Sequence, residues 1–234
     1  MKKWILFSLI TCVLVSCEKE KRECPGAVGK TFTQTDFTRI KAGNDFTFSI
    51  VKGSTYNITA TGCQNDLDDL NVILSAGNTL EIDYENYRPG RYQVDFTITT
   101  PVMNALILSG NAAASVTGFQ DQTSVIRTIL SGNSKLTMNG TPVNANVELS
   151  GNSLLNISGS TVSLYGDISG NSTLNAYPLN ATEVDILTSG NARAFVTPVE
   201  KLFVSASGQS IVRYKGDPAH KNIVTSGNGK VIKE

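Results

Sequence analysis

From residue 104 onward, apolar and polar positions alternate around one recurring tripeptide. Ser-Gly-Asn or Ser-Gly-Gln occurs at Ser109, Ser131, Ser150, Ser169, Ser189, Ser207 and Ser226, and successive serines lie 22, 19, 19, 20, 18 and 19 residues apart. One residue before each serine stand Leu108, Leu130, Leu149, Ile168, Thr188, Ala206 and Thr225, and three before it Leu106, Thr128, Val147, Gly166, Ile186, Val204 and Ile223. Five after it come Ala114, Leu136, Leu155, Leu174, Ala194, Val212 and Val231. All these offsets are odd, so on an extended chain of period two they share one face. Each repeat therefore predicts two short strands, one on either side of the tripeptide, with a common inward face.

Nine residues after the serine the chain reads Gly118, Gly140, Gly159, Pro178, Pro198 or Gly216, turn residues expected to end the second strand. A fixed period near 20 residues is the mark of a solenoid. The expected fold is all-β: a right-handed β-solenoid, or β-helix-like stack, of about seven two-strand coils. The corner glycines have inward parity, where a side chain would collide with the core. The corner residues Ser109, Asn111, Ser131, Asn133, Ser150, Asn152, Ser169, Asn171, Ser189, Asn191, Ser207, Ser226 and Asn228 should superpose from coil to coil and form hydrogen-bonded side-chain ladders. Their uniformity favours a structural role over a glycan-gripping row.

Residues 31–103 are strand-like without keeping the repeat. They are expected to form an atypical N-terminal β region, a cap or first coils, continuous with the solenoid of residues 104–234. Gln64–Leu70 reads as a short helical turn, with further turns at Ala76-Gly77-Asn78 and Arg88-Pro89-Gly90.

The extreme N-terminus carries an address. Residues 1–16 place Lys2 and Lys3 before an apolar run from Trp4 to Val15, shorter than the roughly 20 residues a membrane span needs, and read as a signal peptide. The run ends Leu14-Val15-Ser16-Cys17, similar to a lipobox, which makes Cys17 the candidate lipidation site and residues 17–30 a charged tether. Acyl chains contribute about 0.8 kcal/mol per buried CH₂, so such an anchor holds a chain to the outer membrane, with surface display as the extension of this reading. Cys24 and Cys63 would then lie in an oxidising compartment, where they are either paired or free.

Composition narrows the chemistry. The 234 residues carry 20 Lys+Arg against 20 Asp+Glu, and removal of Lys2 and Lys3 leaves a faintly acidic chain with no cationic surface for nucleic acid. His220 is the only histidine, which excludes two-His metal sites; no phosphate loop, EF-hand or zinc spacing occurs, so neither metal nor cofactor is expected. The best catalytic candidates are Glu148 and Asp167, each two residues before a repeat serine and hence neighbours on adjacent coils. Their spacing would approach the roughly 5 Å of a retaining glycosidase pair, with no third acid or Arg expected beside them. The same outward column contains Ile107, Ile129, Leu187 and Val224, an apolar stripe expected to pack against another protomer or the N-terminal half. Tyr165 and Phe203 also point outward, two coils apart.

Residues Phe37–Ile50 with Lys52-Gly53, Leu80-Glu-Ile-Asp-Tyr84, Phe96-Thr-Ile-Thr-Thr-Pro101 and Leu106-Ile-Leu-Ser-Gly-Asn111, followed by the later repeats, resemble the head GIN domain, an auto-transporter adhesin family. The resemblance covers roughly residues 35–230. It implies a secreted or lipid-anchored β-solenoid of the Bacteroidetes type and supplies no catalytic residues. The sequence thus favours a non-enzymatic, lipid-anchored envelope or cell-surface binding and adhesion module, with a glycan or surface protein as partner. A polysaccharide-active lyase or hydrolase and a purely structural envelope scaffold are the alternatives.

Overall fold

The computed structural model describes residues 24–234. Its first part runs β1 (Ala27–Phe32), β2 (Arg39–Ala42), β3 (Thr47–Lys52), β4 (Asn57–Cys63), the short helix α1 (Gln64–Asp68), β5 (Leu70–Ser75), β6 (Thr79–Tyr84) and β7 (Asp95–Thr100). The repeats follow as β8 (Ala105–Leu108), β9 (Ala113–Thr117), β10 (Ile126–Leu130), β11 (Lys135–Asn139) and β12 (Asn144–Leu149). Three long strands come next, β13 (Leu154–Ile168), β14 (Thr173–Thr188) and β15 (Arg193–Ala206), then β16 (Ile211–Tyr214), β17 (His220–Thr225) and β18 (Lys230–Lys233).

The chain is a β-solenoid. One parallel ladder joins β6, β2, β8, β10, β12 and the later halves of β13, β14 and β15, ending on β17. The other joins β7, β3, β9, β11 and the early halves of β13, β14 and β15, ending on β16 and β18. Between them lie the odd-offset residues: Leu108, Leu130, Leu149 and Ile168 from one ladder and Leu136, Leu155, Leu174 and Val212 from the other are all buried. Each such Leu or Ile, withdrawn from water, contributes about 2 kcal/mol. Ile223 departs from this pattern and is 40% exposed, because β17 is the last strand of its ladder among the described residues.

The second corner differs from expectation. Gly118, Gly140 and Gly216 follow the ends of β9, β11 and β16, but β13, β14 and β15 run through Gly159, Pro178 and Pro198. Coils of nearly equal length stack flush there, so the parallel ladder continues around the bend. The register slips between Asn156 and Gly159 and between Ala176 and Asn180, where glycine, or a proline without an N–H, interrupts the pairing.

The N-terminal region joins the stack out of sequence order. β2 and β3 lie directly on β8 and β9, and β6 and β7 lie beyond β2 and β3. The corner between β2 and β3 is Gly43-Asn44-Asp45, an unrecognised relative of Ser-Gly-Asn: Asn44, at φ 57°, takes the left-handed glycine position and Asp45 the amide position. The Asn111 N–H donates to Asn44 O at 2.8 Å just as the Asn133 N–H donates to Gly110 O at 2.7 Å. β4 then closes the end, antiparallel to both β1 and β7, while β5 lies antiparallel to β6. Phe46, Phe48 and Phe96 fill the space beneath it, with Phe48 and Phe96 stacked at 5.1 Å and Phe46 edge-on to Phe96 at 5.3 Å.

Candidate binding cleft

The corner residues form a track that leads to the site. Along it, the Asn191 amide donates to Asn171, Asn171 to Asn152, Asn152 to Asn133 and Asn133 to Asn111, at 2.9–3.2 Å. Asn111 Nδ2 donates in turn to Asp45 Oδ1 at 2.6 Å. Every amide points its N–H₂ end the same way, so the row terminates on a carboxylate, the acceptor that best matches a chain of donors. The serines do not ladder with one another. Their hydroxyls reach back to a carbonyl of the preceding coil, as Ser169 does to Leu149 O at 3.2 Å and Ser207 to Thr188 O at 3.1 Å. At the corner glycines an added side chain would meet the neighbouring coil's backbone instead of the core: each lies at positive φ against the preceding corner, Gly110 against Asn44 and the rest against a glycine, and a Cβ on Gly151 would stand 2.6 Å from Gly132 O.

Beyond Asp45 the long connection from β6 to β7 folds over the end of the corner row. Asp83, the last residue but one of β6, accepts from Asn44 Nδ2 at 2.6 Å and from the Tyr84 N–H at 2.8 Å. Two arginines tie the connection to α1. Arg91 Nη1 lies 3.2 Å from Asp66 Oδ1 and its Nη2 bonds Asp69, while Arg88 Nη2 sits 3.4 Å from Asp69 Oδ2 and donates to Asn65 O. The Arg91 guanidinium also stacks on the Tyr84 ring at 3.6 Å.

Between these walls lies a cleft of about 840 Å³, lined by Asn44, Asp45, Asp83, Tyr84, Asn86, Tyr87, Tyr92, Gln93, Asn111 and the Arg88–Arg91 turn. That size falls within the range of ligand sites. Tyr87 is 94% exposed, while desolvation, and then the Asp66 carboxylate, push the Tyr84 phenol up to about 12, so it stays protonated. The arrangement offers hydroxyl, amide and carboxylate groups beside aromatic faces, the means to hold a polar ligand.

The Asn86 amide, then Arg91, hold Asp69 at about 2, below the ordinary 3.8. A depressed carboxylate stabilises the fold fully above its unfolded value and loses that contribution as pH falls through the folded one. Thermal unfolding followed from pH 5 downward should therefore show the midpoint falling between about pH 4 and pH 2. The fall should be smaller in Asp69→Asn, and an identical profile in the two proteins would refute the assignment.

The other candidates lie elsewhere. Glu148 and Asp167 are register partners on β12 and β13. Contrary to expectation an arginine stands beside them: Arg127, on the diagonal of β10, bonds Glu148 Oε1 through Nε at 2.8 Å and Nη2 at 2.7 Å. Arg127 stands opposite Asn146, and its long side chain reaches diagonally along the sheet to Glu148. The guanidinium engages one oxygen of Glu148 and, among the described residues, leaves Asp167 without an arginine partner. In the stripe, Ile107 pairs with Lys41, which pairs with Glu81, so the N-terminal half extends this column and does not cover it. Tyr165 and Phe203 flank Asp185 in one outward row. Cys24 and Cys63 form a disulfide. Cys17 lies outside the described residues. Among the described residues no group of three or more His, Cys, Asp or Glu could hold a metal, and no helix is long and apolar enough to cross a membrane.

The cleft's aromatic wall was missed at the sequence level. Its signal is Tyr84-Glu-Asn-Tyr87-Arg-Pro-Gly-Arg-Tyr92, which gathers three of the seven tyrosines into nine residues. Read only as a turn, the segment conceals that its rings meet the end of the corner row.

No curated protein matches the chain. A solved structure of a putative adhesin from Bacteroides fragilis is similar over 90% of this chain and 98% of its own, with TM-score 0.77 and 17% identity. One from Parabacteroides distasonis, also a putative adhesin, gives TM-score 0.70 at 18% identity over the same shares of the two chains. Another from that organism, described as a putative lipid binding protein, gives TM-score 0.63 at 14% identity, over 90% of this chain and 97% of its own. At these identities the likeness concerns the fold. Residues 36–218 match the family described as "Putative auto-transporter adhesin, head GIN domain", whose adhesin character implies association with the cell surface or envelope. With that match spanning most of a chain that folds as a β-solenoid, this protein belongs to the head GIN domain family.

Proposed function

We propose that the protein is a non-enzymatic adhesion module, held on the outer membrane by lipid on Cys17, that engages its partner in the cleft between the Asp45 corner and the 85–93 connection. The observation that carries this reading is the cleft itself, with Tyr87 almost wholly exposed beside amide and carboxylate groups. Exposed aromatic side chains supply large contact area at low entropic cost, and two arginine anchors to α1 hold the wall in place. The Cys17 reading rests on the lipobox-like Leu14-Val15-Ser16-Cys17 and the charged tether behind it.

The test uses the full-length protein in detergent micelles against arrays of glycans and of surface proteins, with a reducing-sugar assay in parallel. Tyr87→Ala is expected to weaken the strongest binding about tenfold, the scale of one interfacial aromatic anchor, and no sugar should be released. In cells, Cys17→Ala should move the protein from the membrane fraction to the soluble one. Polysaccharide turnover, or binding indifferent to Tyr87→Ala, would overturn the reading.

A further inference from the structure

The uncommitted charge of the cleft is of one sign. Its two cations, Arg88 and Arg91, are engaged by Asp66 and Asp69 on the far side of the wall. Asp45 and Asp83 instead face the cleft, and each offers only Oδ1 to the chain: Asp45 to the Asn111 amide, Asp83 to Asn44 and to the Tyr84 N–H. Among the described residues their Oδ2 atoms accept nothing, and an ionised carboxylate has lone-pair sites to spare. A ligand entering here meets strong acceptors, a neutral phenol on Tyr84, amides on Asn86 and Gln93, and the open ring of Tyr87.

We propose that the cleft receives the end of a carbohydrate chain that carries no acid groups, and that it holds an amine-bearing sugar more tightly than the neutral counterpart. This rests on the cleft being the adhesion site argued above. Sugar hydroxyls donate to the two Oδ2 atoms, and the C–H face of the ring packs on Tyr87. An ammonium replaces a neutral donor by a charge-assisted one, whereas a uronate brings a third negative charge beside Asp45 and Asp83. A protein partner fits less well, because the anchors of a protein interface work in well-packed, fully desolvated pockets, and this cleft is open and predominantly polar.

The experiment is calorimetry on the full-length protein in detergent with three probes: tetramers of β-linked glucosamine, N-acetylglucosamine and galacturonate, at a pH where the amine is protonated. Glucosamine should bind about tenfold more tightly than N-acetylglucosamine, a difference of about 1.4 kcal/mol. The gap should shrink as salt is raised to about 1 M, where the screening length falls to roughly 3 Å, and galacturonate should not bind. In the double variant Asp45→Asn, Asp83→Asn, which keeps an acceptor for each asparagine amide, the ratio of the first two affinities should fall to about one. Galacturonate binding as tightly as the others, or a ratio indifferent to the double variant, would overturn the charge assignment. Binding to none of the three, with Tyr87→Ala still weakening attachment to an arrayed protein, would overturn the carbohydrate class while leaving the cleft as the adhesion site. Insensitivity to Tyr87→Ala throughout would remove the site reading itself.

Discussion

Gly151→Ala is expected to lower the melting temperature by about 6–12 °C, given about 2–4 °C per kcal/mol for a chain of this size. Gly151 sits at φ 71°, a conformation that costs an L-residue roughly 1–2 kcal/mol. Its new Cβ would also lie 2.6 Å from Gly132 O and 3.0 Å from Gly132 N, both backbone atoms that cannot swing aside. Separating the coils to admit it adds about 1–3 kcal/mol, as overpacking does elsewhere, for a total of about 3 kcal/mol. The control is Gly90→Ala: φ is 72° there as well, but nothing lies within 4 Å of the added methyl, so only the conformational cost remains. Equal losses in the two variants, measured by thermal unfolding, would mean that coil-to-coil contact contributes nothing at the corner.

Cys24→Ser is expected to destabilise the N-terminal cap by about 4 kcal/mol, from the chain-entropy relation for a closed loop of about 40 residues. The bond spans a separation of 39 residues and fastens the start of β1 to the end of β4. Beyond its antiparallel ladder with β4, β1 has little else to hold it. Most of its residues are exposed, and its side-chain ties reduce to Lys30 donating to Leu67 O at 2.7 Å and Phe32 packing beside Phe96, ring centroids 6.4 Å apart. Hydrogen exchange should therefore report the loss unevenly, with residues 27–32 of the variant opening well before the coils from β8 onward. Uniform loss of protection along the chain would show instead that cap and solenoid unfold as one unit.

Much of this architecture was legible residue by residue. The odd-offset apolar positions from Leu106 to Val212 fill the interior, and the spacing of the serines is the spacing of the coils. What misled was identity standing in for conformation. Gly43-Asn44-Asp45 makes the same corner as Ser109-Gly110-Asn111, yet it shares no residue at matching positions: asparagine tolerates the left-handed region and aspartate accepts where asparagine both donates and accepts. Pro178 and Pro198 likewise read as strand ends, although flush neighbours carried the ladder past them. The cleft was the least legible part, because Asp45, Asp83, Tyr87 and Asn111 lie on separate segments and meet only when β6 pairs with β2 and β2 with β8.

The sequence by itself therefore determined the repeating body: a period near 20, strict inward parity, and small residues at the corners leave a stacked parallel coil as the way to bury the apolar face and satisfy the backbone. Only the tertiary structure decided the order in which the first strands enter that stack, and so which side chains end the asparagine row. Strand pairing between segments far apart in the chain depends on how the cap closes over the core. Local periodicity carries no information about that closure, and it is the closure that places a tyrosine-lined wall over Asp45.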